Sequence, residues 1–480
     1  MNSWDNLKSR IGEFFYGNYL HGRPEQQGKS DMRNDDTWIE HLSSMAASSS
    51  LVDSSLYTRY DVKRGLRDIS GKGVLAGLTQ IGEVQAYTME GDKSIPSPGC
   101  LIYRGIDISE IVNNFWADGR YGFEETTYLL LFGELPKSHD LERFQNLLSS
   151  YRSLPDDFIH DSILKLSSRD IMNAMAQTVL NLYVLDDRAD DTDIPNVLRQ
   201  SLFLISTFPL IAVYCYQAHA YRYGNKSLII HSPQPELSTA ANFLHMLRDD
   251  SRYTPLEVQL LDLALVLHAE HGGGNNSSFT THVVTSTGTD TYSTIAAAIG
   301  SLKGPRHGGA NIKVIQMFEE LKEEVRDWKD EQAIEHYLKR LLNKDAFDHS
   351  GLIYGIGHPV YSISDPRTVI LRQYAEKLAN EKGCGDEYRL YAKVEKLAPE
   401  VISKTRKIYK GVCANVDFYS GFVYKMMNIP PELFTPLFAI ARIVGWCAHR
   451  IEEIANAGKI IRPAYKSVTE RRDYIPLKER

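Results

Sequence analysis

The sequence predicts a mostly α-helical protein with a minor β element, and two observations support this fold class. First, apolar residues recur at helical spacing over five long segments, 123–132, 141–148, 163–184, 197–218 and 238–247. Turn-forming glycine, proline and aspartate residues separate these segments. Second, convincing strand material is confined to residues 69–108, where GLTQIGEVQAYT and CLIYRGIDI flank a break rich in proline and glycine.

Composition excludes several classes of protein. The 480 residues are 43% hydrophobic and 24% charged, which is ordinary for a globular protein and unlike a disordered or collagenous chain. The net charge of −7 argues against nucleic-acid binding through bulk positive charge. The five cysteines include no CxxC pair, so we expect reduced thiols rather than a disulfide framework or a zinc knuckle.

The sequence also predicts a cytoplasmic protein that spans no membrane. No uninterrupted apolar run approaches the roughly 20 residues that a spanning helix needs. The first residues, MNSWDNLKSRIGEFFYGNYL, contain Asp5 and Glu13 and lack the apolar core of a secretory signal. Residues 1–68 as a whole are predicted to form an N-terminal appendage of short helices and linker.

The segment TPLEVQLLDLALVLHAEHGGGNN is predicted to be a buried helix with two histidines in its last turn. Thr254 and Glu257 form a capping-box pattern, and Gly272 is placed to end the helix. His268 and His271 then share one face. Spacing alone leaves open whether they only cap helix carbonyls or belong to a site.

Glycine-bounded histidines follow in LKGPRHGGAN and in GIGHPVYSISDPR. His307 precedes a predicted helix N-terminus, whose positive dipole end favours a neutral imidazole that can donate to a substrate carbonyl. His358 and Arg367 could converge on a keto acid, with the imidazole on the ketone and the guanidinium on the carboxylate. Each segment read alone could equally be an exposed turn.

The fourth segment begins at NVDFYSG and continues through LFTPLFAIARIVGWCAHRIEE. Asn415 is placed to cap a helix, which puts Asp417 in its first turn. Arg442 lies in an otherwise apolar helix, and a buried arginine needs a carboxylate or phosphate. The alternative is a solvated stripe of Arg442 and His449.

In their order and separation, these segments resemble the citrate synthase family. The matching stretches are HAEHGGGN, LKGPRHGGAN, GIGHPVYSISDPR and NVDFYSG, followed by LFTPLFAIARIVGW and IIRP. The resemblance covers roughly residues 70–470. It implies an all-α homodimer in which each subunit has a large domain, 69–307 and 418–480, and a small mobile domain, 308–417. The active site would lie between the two domains, and residues 1–68 would remain an appendage.

The resemblance also implies a reaction of the tricarboxylic acid cycle, the condensation of oxaloacetate with acetyl-CoA and hydrolysis of the thioester to citrate and CoA. Asp417 would be the general base that deprotonates the acetyl methyl group. His307 would donate a hydrogen bond to the thioester oxygen, and His358 would polarise the ketone and act as acid. No cofactor and no metal are expected.

The residues implied to bind oxaloacetate are His271, Arg367, Arg442 and, from the other subunit, Arg462. The loop at 354–357 and Arg306 are candidates for contacts with CoA. Three other functions remain possible at this stage. They are 2-methylcitrate synthesis from propionyl-CoA, a catalytically silent metabolite-binding role, and a metal hydrolase built on His268, Glu270 and His271.

Overall fold

A computed structural model describes residues 29–68, 73–91, 93–406 and 411–480 of the chain. The described residues fall into two compact units, which divide between Leu75 and Ala76. The first unit contains helices α1 (Lys29–Ser49) and α2 (Ser54–Arg59). The region predicted to form short helices and linker thus contains one helix of 21 residues, α1. The rest of the predicted appendage, residues 1–28, lies outside the described residues.

The second unit is mostly helical, as the sequence predicts, with a small sheet near its N-terminal end. Its helices are α3 (Ile108–Ala117), α4 (Phe123–Phe132), α5 (Ser138–Ser150), α6 (Ile171–Leu182), α7 (Ile194–Tyr223), α8 (Thr239–Leu247), α9 (Pro255–His268), α10 (Asn276–Thr285), α11 (Thr291–Lys303), α12 (Ala310–Glu324), α13 (Glu331–Leu342), α14 (Pro366–Glu381), α15 (Gly385–Thr405), α16 (Asp417–Met426) and α17 (Phe434–Ala455). The predicted division into a large and a small domain at 308–417 stays a prediction.

The sheet is an antiparallel meander of β1 (Gly82–Glu90), β2 (Lys93–Tyr103) and β3 (Ile106–Asp107). The sequence predicts a break at the prolines before Cys100, but these prolines lie inside β2. Proline has no backbone N–H to donate, so within a strand it needs an edge without ladder hydrogen bonds. Because β3 pairs only with the end of β2, at Ile102 and Tyr103, one edge of β2 is not bonded to β3 along the proline-rich part.

One predicted helix, 163–184, is shorter than its apolar pattern suggests. Asp170 caps α6 by accepting a hydrogen bond from the Asn173 backbone N–H at 2.8 Å, so the helix begins only at Ile171. The Ser168 hydroxyl oxygen accepts the N–H of Asp170 at 3.2 Å. These local side-chain bonds compete with helix formation and shift its start. The other predicted helices are found within five residues of their expected bounds, and 123–132 matches α4 without any difference.

Helices that are apolar nearly all round form the core of the second unit. Helix α17 packs against α4, α7, α9 and α10. Helix α7 is long and apolar enough to cross a membrane, the one such helix in the part of the chain that the structure describes. However, 83% of its most apolar stretch is buried inside the protein, which is the environment of a core helix.

The close packing of α17 positions functional groups from distant parts of the chain. A Cβ atom at Gly445 would lie 2.6 Å from the Ala269 carbonyl oxygen, so only glycine allows α17 to approach the end of α9 this closely. Arg442 and His449 on α17 are both fully buried. The predicted alternative of a solvated Arg442–His449 stripe is therefore wrong.

Candidate active site

The end of helix α9 places two histidines differently from the prediction. The capping box of Thr254 and Glu257 is present, but the helix ends at His268, so His271 lies beyond it rather than in its last turn. His268 is buried, and its Nδ1–H donates to the Ala264 carbonyl at 2.8 Å. Burial lowers the pKa of His268 to about 3, so this imidazole is neutral.

His271 is buried beside a second histidine. Its Nε2 atom has no hydrogen-bond partner in the structure. The His271 ring centroid lies 5.1 Å from that of His358 and 5.6 Å from that of Tyr361. Burial and the nearby charge of Arg367 hold the pKa of His271 well below its usual range. His271 therefore presents a neutral, unpartnered imidazole nitrogen.

His358 lies on a glycine-bounded loop that is tied to the loop preceding α16. The Gly357 N–H donates to the Cys413 carbonyl at 2.7 Å, and the Asn415 N–H donates to the Gly355 carbonyl at 2.9 Å. Both glycines have positive φ angles, 79° and 106°. The His358 Nδ1 atom accepts the backbone N–H groups of the next segment at 3.1 Å. A neutral His358 therefore carries its proton on Nε2.

Asp417 is the first residue of α16 and so lies in its first turn, as predicted, but the N-cap residue is Val416 rather than Asn415. The Asn415 side-chain oxygen accepts the Asp417 backbone N–H at 3.0 Å. The Asp417 Oδ1 atom is buried without a hydrogen-bond partner. Burial raises the pKa of Asp417 to about 6, although the positive charges of Arg367 and Arg442 act in the opposite direction. Asp417 therefore has the raised proton affinity of a general base.

His307 lies between α11 and α12, and its Nε2 atom is 3.1 Å from the Ser277 hydroxyl oxygen. Burial, followed by the charge of Arg442, lowers the pKa of His307 to about 4. The predicted neutral imidazole is thus found, but burial rather than the helix dipole is the main cause. Trp446 Nε1–H donates to the same Ser277 oxygen at 3.1 Å, which fixes this serine in place.

Arg442 lies at the centre of these groups. Its side chain is fully buried, and its Nε–H donates to the His268 carbonyl at 2.7 Å. Its Nη1 and Nη2 atoms are buried and have no hydrogen-bond partner in the structure. Burial lowers the pKa of Arg442 to about 10, so at neutral pH it keeps its charge. An unpaired buried guanidinium is costly unless an anion binds it.

The charge of Arg442 shows how closely the site residues lie together. It lowers the pKa values of His307, His271 and Asp417, residues from three distant parts of the sequence. The Phe438 ring, one turn earlier on α17, lies 4.7 Å from the guanidinium carbon and 6.2 Å from the His307 ring centroid. The structure therefore brings the three predicted histidines, Asp417 and Arg442 into one region.

Arg367 joins this region but already has an anionic partner. Its Nε and Nη2 atoms donate to the two carboxylate oxygens of Asp365 at 3.0 and 2.7 Å. Burial lowers the pKa of Arg367, but Asp365 outweighs this effect and raises it above its usual value. Sequence reasoning missed Asp365 as this partner, although its position before Pro366 marks it as a helix cap.

Arg462 is the predicted site residue that this single chain does not bring to the cluster. It is exposed on the C-terminal segment that follows α17. That segment has no regular secondary structure before Leu477, and the Ile461 N–H donates to the Ser286 hydroxyl oxygen at 3.1 Å.

The metal hydrolase considered from the sequence does not fit the geometry. His268 donates to its own helix, Glu270 pairs with His449 at 3.0 Å, and His271 faces His358. The three side chains therefore do not turn toward one another. A helical fold that gathers neutral imidazoles, a carboxyl group of raised pKa and buried arginines instead defines an acid–base enzyme for a small anionic substrate.

Comparison with known proteins agrees with this class. The family model "Citrate synthase, C-terminal domain" matches residues 69–464. A citrate synthase from Synechocystis is 35% identical over 399 residues, which are 80% of this chain and 88% of that protein. A 2-methylcitrate synthase from Shewanella oneidensis is 32% identical over 385 residues, 79% of this chain and 92% of that protein.

A solved structure shows the same fold. The ternary complex of carboxymethyl coenzyme A and oxaloacetate with citrate synthase from Thermoplasma acidophilum has a TM-score of 0.70 and 28% identity. The match covers 87% of this chain and 99% of that one. The chain belongs to the citrate synthase family and is therefore an acyltransferase.

The burial of Asp417 generates a prediction for stability. Its pKa is about 6 in the folded protein, against a usual value of 3.8. The resulting destabilisation is absent below the unfolded pKa, grows as the pH rises and is complete above the folded pKa. Asp417→Asn should therefore raise the free energy of unfolding by about 1–3 kcal/mol at pH 7.5 and by clearly less at about pH 4.5. Urea denaturation at both pH values measures this difference.

The matched control is Asp473→Asn, which removes a carboxylate from an exposed position and should change little at either pH. A gain from Asp417→Asn that is equal at both pH values would contradict the burial argument.

Proposed function

We propose that this protein condenses oxaloacetate with acetyl-CoA and hydrolyses the citryl thioester to citrate and CoA. The proposal rests on the presence in one site of two buried groups that lack hydrogen-bond partners, the Asp417 Oδ1 atom and the Arg442 Nη1 and Nη2 atoms. The first is a base of raised pKa, and the second is a cation that needs an anion. A keto diacid supplies a carboxylate for Arg442, and a carbon acid supplies a proton that Asp417 can accept.

Oxaloacetate is the substrate that the cationic side of the site favours. The free Nη1 and Nη2 atoms of Arg442 form a planar fork suited to one carboxylate. Arg367 adds a second buried positive charge, partly balanced by Asp365. The unpartnered Nε2 atom of His271 supplies a further polar contact, and the Nε2–H of His358 is the donor that would polarise the ketone oxygen.

The acetyl group is activated by Asp417 and His307. Asp417 takes a proton from the methyl carbon, and His307 donates a hydrogen bond to the thioester oxygen, where negative charge develops. One well-aimed donor is worth roughly 3–4 kcal/mol at such a position. The Ser277 hydroxyl lies 3.1 Å from the His307 Nε2 atom and donates to the Asn275 side-chain oxygen at 3.0 Å. Turned to donate to Nε2 instead, this hydroxyl would hold the histidine proton on Nδ1, the nitrogen left for the substrate.

The following step forms the carbon–carbon bond. The enolate carbon attacks the ketone carbon of oxaloacetate, and His358 gives a proton to the ketone oxygen. Water then cleaves the thioester and releases CoA. No cofactor or metal takes part in this scheme. The contacts of the 354–357 loop and Arg306 with CoA, and the cytoplasmic location, stay predictions.

A homodimer completes the site in this proposal. The segment after α17 exposes large apolar side chains, with Tyr465 97% and Ile460 65% exposed. Exposed segments with such side chains are suited to pack on a second subunit. Arg462 lies on this segment and would reach the oxaloacetate site of the partner subunit.

The alternative substrate is propionyl-CoA, and two relatives with the name 2-methylcitrate synthase support this alternative. The catalytic groups would be the same, because propionyl-CoA differs by one methylene group. Such a difference changes the transition-state energy by only about 1–3 kcal/mol.

For the general base, we expect Asp417→Asn to reduce kcat by at least about 100-fold, because an amide cannot accept the methyl proton. Oxaloacetate affinity should change little, since Arg442 and His271 remain. Oxaloacetate-dependent release of free CoA measures turnover, and calorimetry measures binding. Equal loss of binding and turnover would make Asp417 a structural residue, and absence of CoA release from the unmodified protein would indicate a catalytically silent relative.

For the acyl donor, we expect kcat/KM for acetyl-CoA to exceed that for propionyl-CoA by about 10-fold to 200-fold. Both substrates are compared at saturating oxaloacetate with the same CoA-release assay. The reverse order would assign the protein to 2-methylcitrate synthesis.

For the dimer, Arg462→Ala and Arg442→Ala should each raise the KM for oxaloacetate. Mixing the two variants should restore activity, to about one quarter of the wild-type value if subunits exchange at random, since one site of each mixed dimer regains both arginines. Each variant incubated alone is the control. No recovery despite subunit exchange would place both arginines in the site of one subunit.

A further inference from the structure

Two histidines face each other behind the loop that carries His271. His282 on α10 and His449 on α17 bring Nε2 and Nδ1 to 3.1 Å from each other. His449 is fully buried, and the His282 side chain is 12% exposed. Gly273 packs against the pair, because a Cβ atom there would lie 3.3 Å from both His282 Nε2 and His449 Cε1. Neither histidine takes part in the reaction proposed above.

The outer nitrogen of each histidine meets a carboxylate. His282 Nδ1 lies 2.8 Å from Glu453 Oε2, and His449 Nε2 lies 3.0 Å from Glu270 Oε1. Histidines that bind metals usually donate their second N–H to such a carboxylate, which fixes the tautomer and the ring orientation. Here both carboxylates direct the inner nitrogen atoms into the same space.

A third donor faces that space. Glu452 uses Oε1 to accept the Gln80 N–H at 2.7 Å. Its Oε2 atom is buried without a hydrogen-bond partner and lies 3.8 Å from His449 Nδ1. The ligand atoms of His282, His449 and Glu452 all lie within 4.8 Å of one another. No other such group occurs among the described residues that could bind a metal.

We propose that His282, His449 and Glu452 bind one divalent transition-metal ion of the zinc class. A tetrahedral zinc ion with bonds of about 2.0–2.1 Å holds its ligand atoms roughly 3.3 Å apart. Two of the three separations, 3.1 and 3.8 Å, are close to this value, and the third, between His282 and Glu452, is no more than 4.8 Å, so side-chain rotations would bring the three ligands to this spacing. Two imidazoles and one carboxylate suit zinc and its neighbours better than magnesium or calcium.

The ion would link α10 to α17 behind the active-site loop. It replaces the proton that the two facing nitrogens otherwise share and lies to one side of the line between them, and Glu270 and Glu453 become its outer carboxylates. Binding of the ion would stabilise the fold, because a ligand that binds only the native state raises the melting temperature. Water would complete the coordination, since the protein supplies three ligands.

The test uses the full chain, stripped of metal with a chelator and then titrated with Zn²⁺. We expect one zinc ion per chain by calorimetry and metal analysis, a raised melting temperature, and the visible spectrum of four-coordinate Co²⁺ when cobalt replaces zinc. His282→Gln and Glu452→Gln should each weaken zinc binding at least 10-fold and remove the thermal shift. His231→Gln is the control, because its ring also pairs with a histidine, at 5.8 Å, but outside this cluster.

Absence of stoichiometric binding by the unmodified protein would overturn the proposal, as would binding unchanged in both variants. Should His282→Gln fail to fold, Glu453→Gln keeps all three ligands and removes only an outer carboxylate. We then expect a loss of affinity of about 10-fold to 100-fold at unchanged circular dichroism. Unaltered affinity in that variant would equally contradict the site. These outcomes are independent of CoA release, so they do not depend on the proposed reaction.

Discussion

The rest of the site depends on the electrostatic interaction of the buried Arg442 guanidinium with its neighbours. It donates once to the end of α9 and leaves two nitrogen atoms unpaired inside the protein. Its charge acts on a carboxyl group and on imidazoles that come from other helices and loops. A charge held in a region of low dielectric acts strongly on its neighbours. The site is therefore an electrostatic unit rather than a set of independent side chains.

This arrangement opposes stability locally. An arginine without an anionic partner, an unpartnered carboxyl oxygen and an imidazole with one unpartnered nitrogen lie together, at Arg442, Asp417 and His271. Each would be more stable in water or with a partner. The core formed by the surrounding helices offsets this cost, and the site keeps groups that are satisfied only when substrate is bound. Such a conflict between local stability and function is common at active sites.

A second buried polar system lies directly behind the first. Glu270 follows His268 in the chain and pairs with His449, while its charge also acts on Arg442. Gly445 permits this approach, since a side chain there would collide with the end of α9. The histidine–carboxylate cluster and the substrate site thus share one structural support, which explains why α17 carries functional groups along much of its length.

The sequence by itself determined the helical class, the capping of α9, and the set of candidate residues, because capping patterns and spaced motifs are local signals. It could not determine burial. Only the tertiary structure decided that Arg442 and His449 are enclosed rather than solvated and that the pKa of Asp417 is raised. The Asp365–Arg367 pair and the shorter helix at 163–184 arise instead from local contacts that sequence reasoning missed. The physical reason is that desolvation and unmet hydrogen bonds arise from neighbours more than a hundred residues away, and no local pattern records them.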